Sequence, residues 1–179
     1  MTADALSPSI STPACPALMA PLQAGRHRLR NRVVMGSMHT RFELLGDAIA
    51  RQAAFYAARA RGGAALIITG GFAPNAEARI DEDAPVLDTL AQALELRPVT
   101  QAVHEHGGKI LLQILHTGRY AKVPQPVGAS TFPSRINPRV PRRLSGPEIE
   151  ATVEDFARAA ALAREAGFDG VEVMGSEGY

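Results

Sequence analysis

The sequence predicts an α/β fold, the N-terminal portion of a (β/α)8 barrel truncated after about its fourth strand. Three observations carry this. Four short apolar runs each end in Gly, Ser, Thr, His, Gln or Tyr: Val33–Val34–Met35–Gly36–Ser37–Met38–His39, Ala65–Leu66–Ile67–Ile68–Thr69–Gly70–Gly71, Ile110–Leu111–Leu112–Gln113–Ile114–Leu115–His116 and Val171–Glu172–Val173–Met174–Gly175–Ser176–Glu177–Gly178–Tyr179. Buried parallel strands with such shelves at their C-terminal ends build a ligand floor. Helix-period segments separate the runs, which favours parallel crossovers over a sandwich or bundle. Finally, a complete barrel typically needs about 250 residues, and this chain has 179.

Residues 1–16, rich in Ser, Pro and Ala without a period, read as a disordered leader, and 17–179 as the partial barrel. Leu18–Leu22, a turn at Gly25 and the basic stretch Arg26–Arg32 suit a hairpin closing the barrel bottom. After the first strand, Ile49, Ala53, Tyr56 and Ala60 share one helix face, and Gly62–Gly63 supplies the stop. A second helical region, Leu87–His106, has Leu90, Leu94, Val99 and Val103 as apolar candidates, with Pro98 interrupting it and Gly107–Gly108 ending it. His104 and His106 suit that helix C-terminus.

Residues 120–147 hold six prolines, several arginines and no sustained period, and read as a long functional or mobile excursion. Ser145 and Glu148 form a capping-box pattern with Pro147 in the first turn. They introduce a helix whose Ile149, Val153, Phe156, Ala160 and Ala163 keep helical spacing up to Gly167. An open doubly wound sheet shows the same alternation. The first strand exit, however, lacks G-x-G-x-x-G, and no phosphate loop of the G-x-x-x-x-G-K-[ST] type follows any strand.

A formal net charge of +1 gives no global reason to expect nucleic acid or an anionic membrane, so small-molecule chemistry is favoured. The single Cys15 excludes an intrachain disulfide framework and a cluster held by four cysteines. The only apolar stretch near the N-terminus is broken by Pro16 and Pro21, against a signal peptide or membrane span, and a cytoplasmic location is expected. No metal-binding spacing is present.

Gln113 sits in an apolar strand, where an unpartnered amide costs about 1–3 kcal/mol. Its donors and acceptor match the pyrimidine edge of a flavin, or else neighbouring strand ends. Gly70 and Gly71 allow backbone to approach a flat ligand, or serve turn chemistry. Gly36, Ser37, Met38 and His39 offer backbone N–H groups and a thioether to a cofactor, Met38 being otherwise a core residue. His116 and Arg119 offer cations where a reduced cofactor or a substrate phosphate would lie, His116 being otherwise a structural residue. Tyr179, two residues after Glu177, is either a proton donor or a packing residue.

Residues 30–40, Phe55–Tyr56 with the following Gly–Gly, residues 108–120 and residues 163–179 together resemble the Old Yellow Enzyme family of FMN-dependent oxidoreductases. Within it they are most similar to the subgroup of bacterial NADPH-dependent 2,4-dienoyl-CoA reductases of fatty acid β-oxidation. The resemblance implies an FMN-binding barrel that reduces a conjugated C=C bond with NAD(P)H. Ser37, Met38, His39 and Gly71 would line the flavin, Gln113 would bond its pyrimidine edge, and Tyr179 would protonate an enoyl or dienoyl thioester. Met174 and Glu177 stand where many relatives carry a carbonyl-gripping His and His or Asn, which favours the dienoyl-CoA subgroup over an enoate reductase or amine dehydrogenase. That subgroup also carries FAD and a 4Fe–4S cluster, neither encoded in these residues. Two other readings remain: an inactive half-barrel, and a phosphate-binding barrel isomerase.

Overall fold

The computed structural model describes residues 15–176 and 178. The expected leader up to residue 14, with Glu177 and Tyr179, lies outside the described residues; helix α1 (Pro16–Met19) already opens at the last residue assigned to that leader. The elements that follow are β1 (Leu22–Ala24), β2 (His27–Leu29), β3 (Val34–Met35), α2 (Ala48–Arg61), β4 (Leu66–Phe72), α3 (Leu90–Glu95) and α4 (Arg97–His104). After them come β5 (Lys109–Ile114), β6 (Val127–Gly128), β7 (Arg142–Arg143), α5 (Gly146–Glu165) and β8 (Gly170–Val173).

Strands β1 and β2 form the expected antiparallel hairpin, turning at Gly25, whose φ of 55° suits glycine. The main sheet is parallel throughout in the order β3-β4-β5-β8, each strand beside its predecessor. A doubly wound sheet would reverse its order at a switch point. The sequential order is that of a barrel wall.

On one face of this sheet, Ile67, Ile110, Leu112 and Ile114 are fully buried against Tyr56 and Ala60 of α2, Val99 and Val103 of α4, and Ala159 and Ala163 of α5. Burial of each strand side chain contributes about 1.5–3 kcal/mol. Gly108 admits β5 to this junction, since a Cβ there would stand 3.0 Å from Val103 Cγ1 and 3.1 Å from Ala60 Cβ.

The second helical region divides differently from the sequence expectation. A capping box between Thr89 and Gln92 starts α3 at Leu90, and its buried side carries Ala93 and then Leu96. Leu90 and Leu94 therefore face outward, at 53% and 41% exposure. The helix stops at Leu96, and Pro98 lies in the first turn of α4, where its missing N–H costs nothing. In α5 the Ser145 backbone N–H and hydroxyl both donate to Glu148 at 2.7 Å. Phe156, Ala160 and Ala163 pack as expected, but Ile149 and Val153 are exposed. A twenty-residue helix is about 30 Å long, whereas the four residues of β8 span about 13 Å. The sheet supports only part of α5.

Polar side chains lock the lower end of the sheet, where the strands begin. Arg30 donates to the carbonyls of Ala60 and Ala64 at the end of α2 and of His106 after α4, and Asn31 donates to Gly63 O at 2.8 Å. Arginine's fork thus caps two helix C-termini with one side chain. Asp169 accepts from Ile110 N–H at 3.0 Å, from Lys109 Nζ at 2.8 Å and pairs with His104 Nε2 at 2.8 Å, while its carbonyl lies 2.9 Å from His27 Nε2. Burial pushes the Asp169 carboxyl up, but Lys109, His104 and the Ile110 amide outweigh it and hold it below its ordinary value. His104 is thus a hydrogen-bond partner of a carboxylate as well as a helix-end residue.

The 120–147 excursion is ordered rather than irregular throughout. Its β6 and β7 pair in parallel, and buried Asn137 donates to Ala121 O at 2.6 Å. No helix among the described residues is long and apolar enough to cross a membrane.

Candidate active site

The upper rim collects the strand exits. Because Ile110, Leu112 and Ile114 enter the helix-side core, strand alternation turns Gln113 to the opposite, inner face. There it is 5% exposed, registers with Gly71 on β4 and Glu172 on β8, and its side-chain amide has no hydrogen-bond partner among the described residues. The amide therefore does not bond neighbouring strand ends, one of the two readings its sequence position allowed.

The placement of Gln113 depends on a residue that the sequence reading passed over. Between Ile68 and Gly71 the register shifts by an inserted residue in β4. Thr69 Oγ1 accepts the Gln113 N–H at 3.1 Å and donates to Gly70 O at 2.9 Å. The bulge re-aims the strand end, and the hydroxyl satisfies the amide it would orphan. A threonine ahead of two glycines in a buried apolar run was the available signal.

Gly70 and Gly71 make room for protein. A Cβ on Gly70 would lie 2.8 Å from Met38 O and 3.4 Å from His39 Cα, and one on Gly71 would lie 2.8 Å from Leu115 Cβ and 3.1 Å from Gln113 Oε1. The crossing backbone brings Met38 and His39 from the β3 exit onto the β4 exit. Together with Tyr56 these residues line a recess of about 20 Å³, water-sized rather than ring-sized. Gly36, Ser37, Met38 and His39 are all exposed, so Met38 is no core residue. Tyr56 was read only as an apolar face residue. Its hydroxyl accepts the Gly70 N–H at 3.4 Å, and burial holds its phenol above the ordinary value.

His116 is not the cation expected. Its Nδ1 accepts the Gly118 N–H at 3.1 Å, and burial lowers its pKa, so the neutral ring shapes the turn after β5. Arg119 does stand at the rim. Its guanidinium lies 5.4 Å over the Tyr120 ring, and it lines a cavity of about 160 Å³ with Gly118, Gly128, Ala129, Ser130 and Gly178.

Glu172, also passed over, has a buried Oε2 with no hydrogen-bond partner among the described residues. The signal that singled out Gln113, a polar residue inside an apolar strand, applied equally to it. Among the described residues no group of His, Cys, Asp or Glu is arranged to hold a metal.

Residues 17–179 match the model of the NADH:flavin oxidoreductase / NADH oxidase family. The chain belongs to that family. It is 37% identical over 172 residues to a metal reductase of Desulforamulus reducens, covering 90% of this chain and 25% of the relative. It is 36% identical over 175 residues to 12-oxophytodienoate reductase 1 of Oryza sativa subsp. japonica, covering 90% of this chain and 45% of the relative. Among solved structures, morphinone reductase in complex with tetrahydroNAD superposes with a TM-score of 0.78 at 34% identity, covering 88% of this chain and 49% of that one. The chain thus spans between a quarter and half of the length of these flavin oxidoreductase relatives. The superposition agrees with the barrel reading of the sheet order.

Proposed function

We propose that this chain provides the FMN-facing rim of an NAD(P)H-dependent ene-reductase. The observation that carries the reading is Gln113, a buried amide turned to the inner face without a described partner, at the level of the β4 and β8 ends. Its N–H and C=O fit the alternating acceptors and donor of a flavin pyrimidine edge. Bound FMN would supply hydride transfer from NAD(P)H to the electron-poor carbon of a conjugated C=C bond. Gly36, Ser37, Met38 and His39, all exposed residues, would border the ring, with Gly71 beside Gln113. Arg119 supplies the only cation among the two that the sequence reading placed at this rim, because His116 is neutral.

Tyr179 would deliver its hydroxyl proton to the neighbouring carbon of the double bond, leaving a saturated C–C bond and a phenolate that recovers a proton from water. Met174 and Glu177 in place of a carbonyl-gripping pair favour a conjugated thioester such as a dienoyl-CoA as the substrate. The test is the chain loaded with FMN and followed in separate half-reactions. Tyr179→Phe is expected to slow flavin reoxidation by the conjugated thioester by about 100-fold or more, with reduction by NAD(P)H unaltered. An unchanged reoxidation rate removes Tyr179 from the mechanism, and a complete gene product that purifies colourless refutes the flavin reading.

A further inference from the structure

The neutral overall balance hides a local one. From Gly107 to Pro147 the sequence contains Lys109, Arg119, Lys122, Arg135, Arg139, Arg142 and Arg143 and not one Asp or Glu. Lys109 is engaged at the lower end with Asp169, and Arg142 is engaged by Glu77 and Glu148. Arg119 and Arg135 have no carboxylate partner among the described residues. They line one cavity of about 310 Å³ whose other walls are Tyr120, Pro133 and Ile136. Ile136 is 81% exposed, and Phe132 beside Pro133 is 74% exposed. Large apolar groups standing in water next to guanidinium groups with no carboxylate among the described residues mark a recognition surface rather than a packing defect.

The same Arg119 also lines the rim cavity that reaches Gly178 at the end of β8. One side chain therefore separates the basic apolar cavity from the reaction end of the sheet. A ligand with a flat apolar body and several phosphates at one end and its reactive group at the other would span both.

We propose that the Arg119–Arg135 cavity binds the ribose-phosphorylated adenosine tail of a cosubstrate. The identity of that tail rests on the NAD(P)H and thioester reading above. The two sources are a nicotinamide nucleotide phosphorylated at the ribose 2′ position and a coenzyme A thioester phosphorylated at the 3′ position. Guanidinium groups bind phosphate oxygens in pairs, while Tyr120, Pro133 and Ile136 offer surface to the base.

Equilibrium binding to the full chain of adenosine 2′,5′-bisphosphate, adenosine 3′,5′-bisphosphate and AMP tests the assignment. At least one bisphosphate is expected to bind about tenfold or more tightly than AMP, the effect of one additional charge-assisted phosphate contact. Preference for the 2′ isomer identifies the nicotinamide nucleotide, and preference for the 3′ isomer the thioester. Arg135→Glu is expected to abolish the preference, and Arg139→Glu, on the same excursion but outside the cavity, to retain it. Equal binding of all three probes, or equal weakening by the two charge reversals, overturns the proposal. Flavin absorbance in the same samples reports separately on the FMN reading: a yellow protein that does not discriminate the probes refutes only the tail site.

Discussion

Replacing Gln113 by leucine separates stability from ligand binding in a single substitution. In the ligand-free chain Gln113 is 5% exposed as a residue and its amide lacks a described partner, so it carries part of the roughly 1–3 kcal/mol that a fully buried, unpaired amide costs. Leucine is nearly isosteric, and Leu111 lies two residues before it on the same face of β5. Gln113→Leu is therefore expected to stabilise the flavin-free chain by about 1–2 kcal/mol, a rise in Tm of roughly 2–8 °C for a chain of this size. In exchange, two neutral hydrogen bonds to the flavin edge, each worth about 0.5–1.5 kcal/mol, disappear, and FMN affinity should fall about tenfold. Thermal unfolding by circular dichroism, with and without FMN, measures both terms. A flavin-free variant that melts below the wild type would show that the amide is already satisfied within the protein, and the flavin assignment would lose its support.

The acid limb of the stability curve should carry a contribution from Asp169. A carboxyl whose folded pKa is lowered contributes fully above its unfolded value of about 4 and loses that contribution as pH falls through the lowered folded value; Asp169→Asn should flatten the fall in Tm below about pH 4, and an unaltered limb would contradict this. Glu148, drawn down to about 2 by the Ser145 amide and hydroxyl and by Arg142, extends the same trend to lower pH. Gly70→Ala drives a methyl to 2.8 Å from Met38 O and should cost about 1–3 kcal/mol, with a lowered Tm; no change in melting would mean that the β3 exit does not cross β4 there.

The strands and their order were legible because buried parallel strands write themselves as apolar runs, and Gly62–Gly63 and Gly107–Gly108 punctuate them. The face of α2 was legible for the same reason. Leu90 and Leu94 misled because the Thr89–Gln92 box, which sets where α3 starts and so which side it buries, is not visible in apolar spacing, whereas the break at Pro98 was. Ile149 and Val153 fit the period of α5, but periodicity says nothing about where the supporting sheet runs out. Gln113 was legible as a polar residue in an apolar strand, and Glu172 carried the same mark unnoticed. The reason for Gly70 and Gly71 was not legible, since Met38 and Leu115, which fill the space of the missing side chains, are distant in sequence and meet them only after the sheet forms. The charge asymmetry of residues 107–147 was likewise invisible to a net-charge sum.

The Asp169 cluster joins positions 142 residues apart, His27 in the first hairpin and the residue that precedes β8. During synthesis the hairpin leaves the ribosome well ahead of its partner, and the anchor for His27 exists only once residue 169 has been translated. Contacts of such separation close late and slowly. A polypeptide interrupted between the end of α2 and residue 169 would hold this segment through Arg30 and Asn31 without the His27 anchor, so limited digestion of shortened chains should begin at that hairpin.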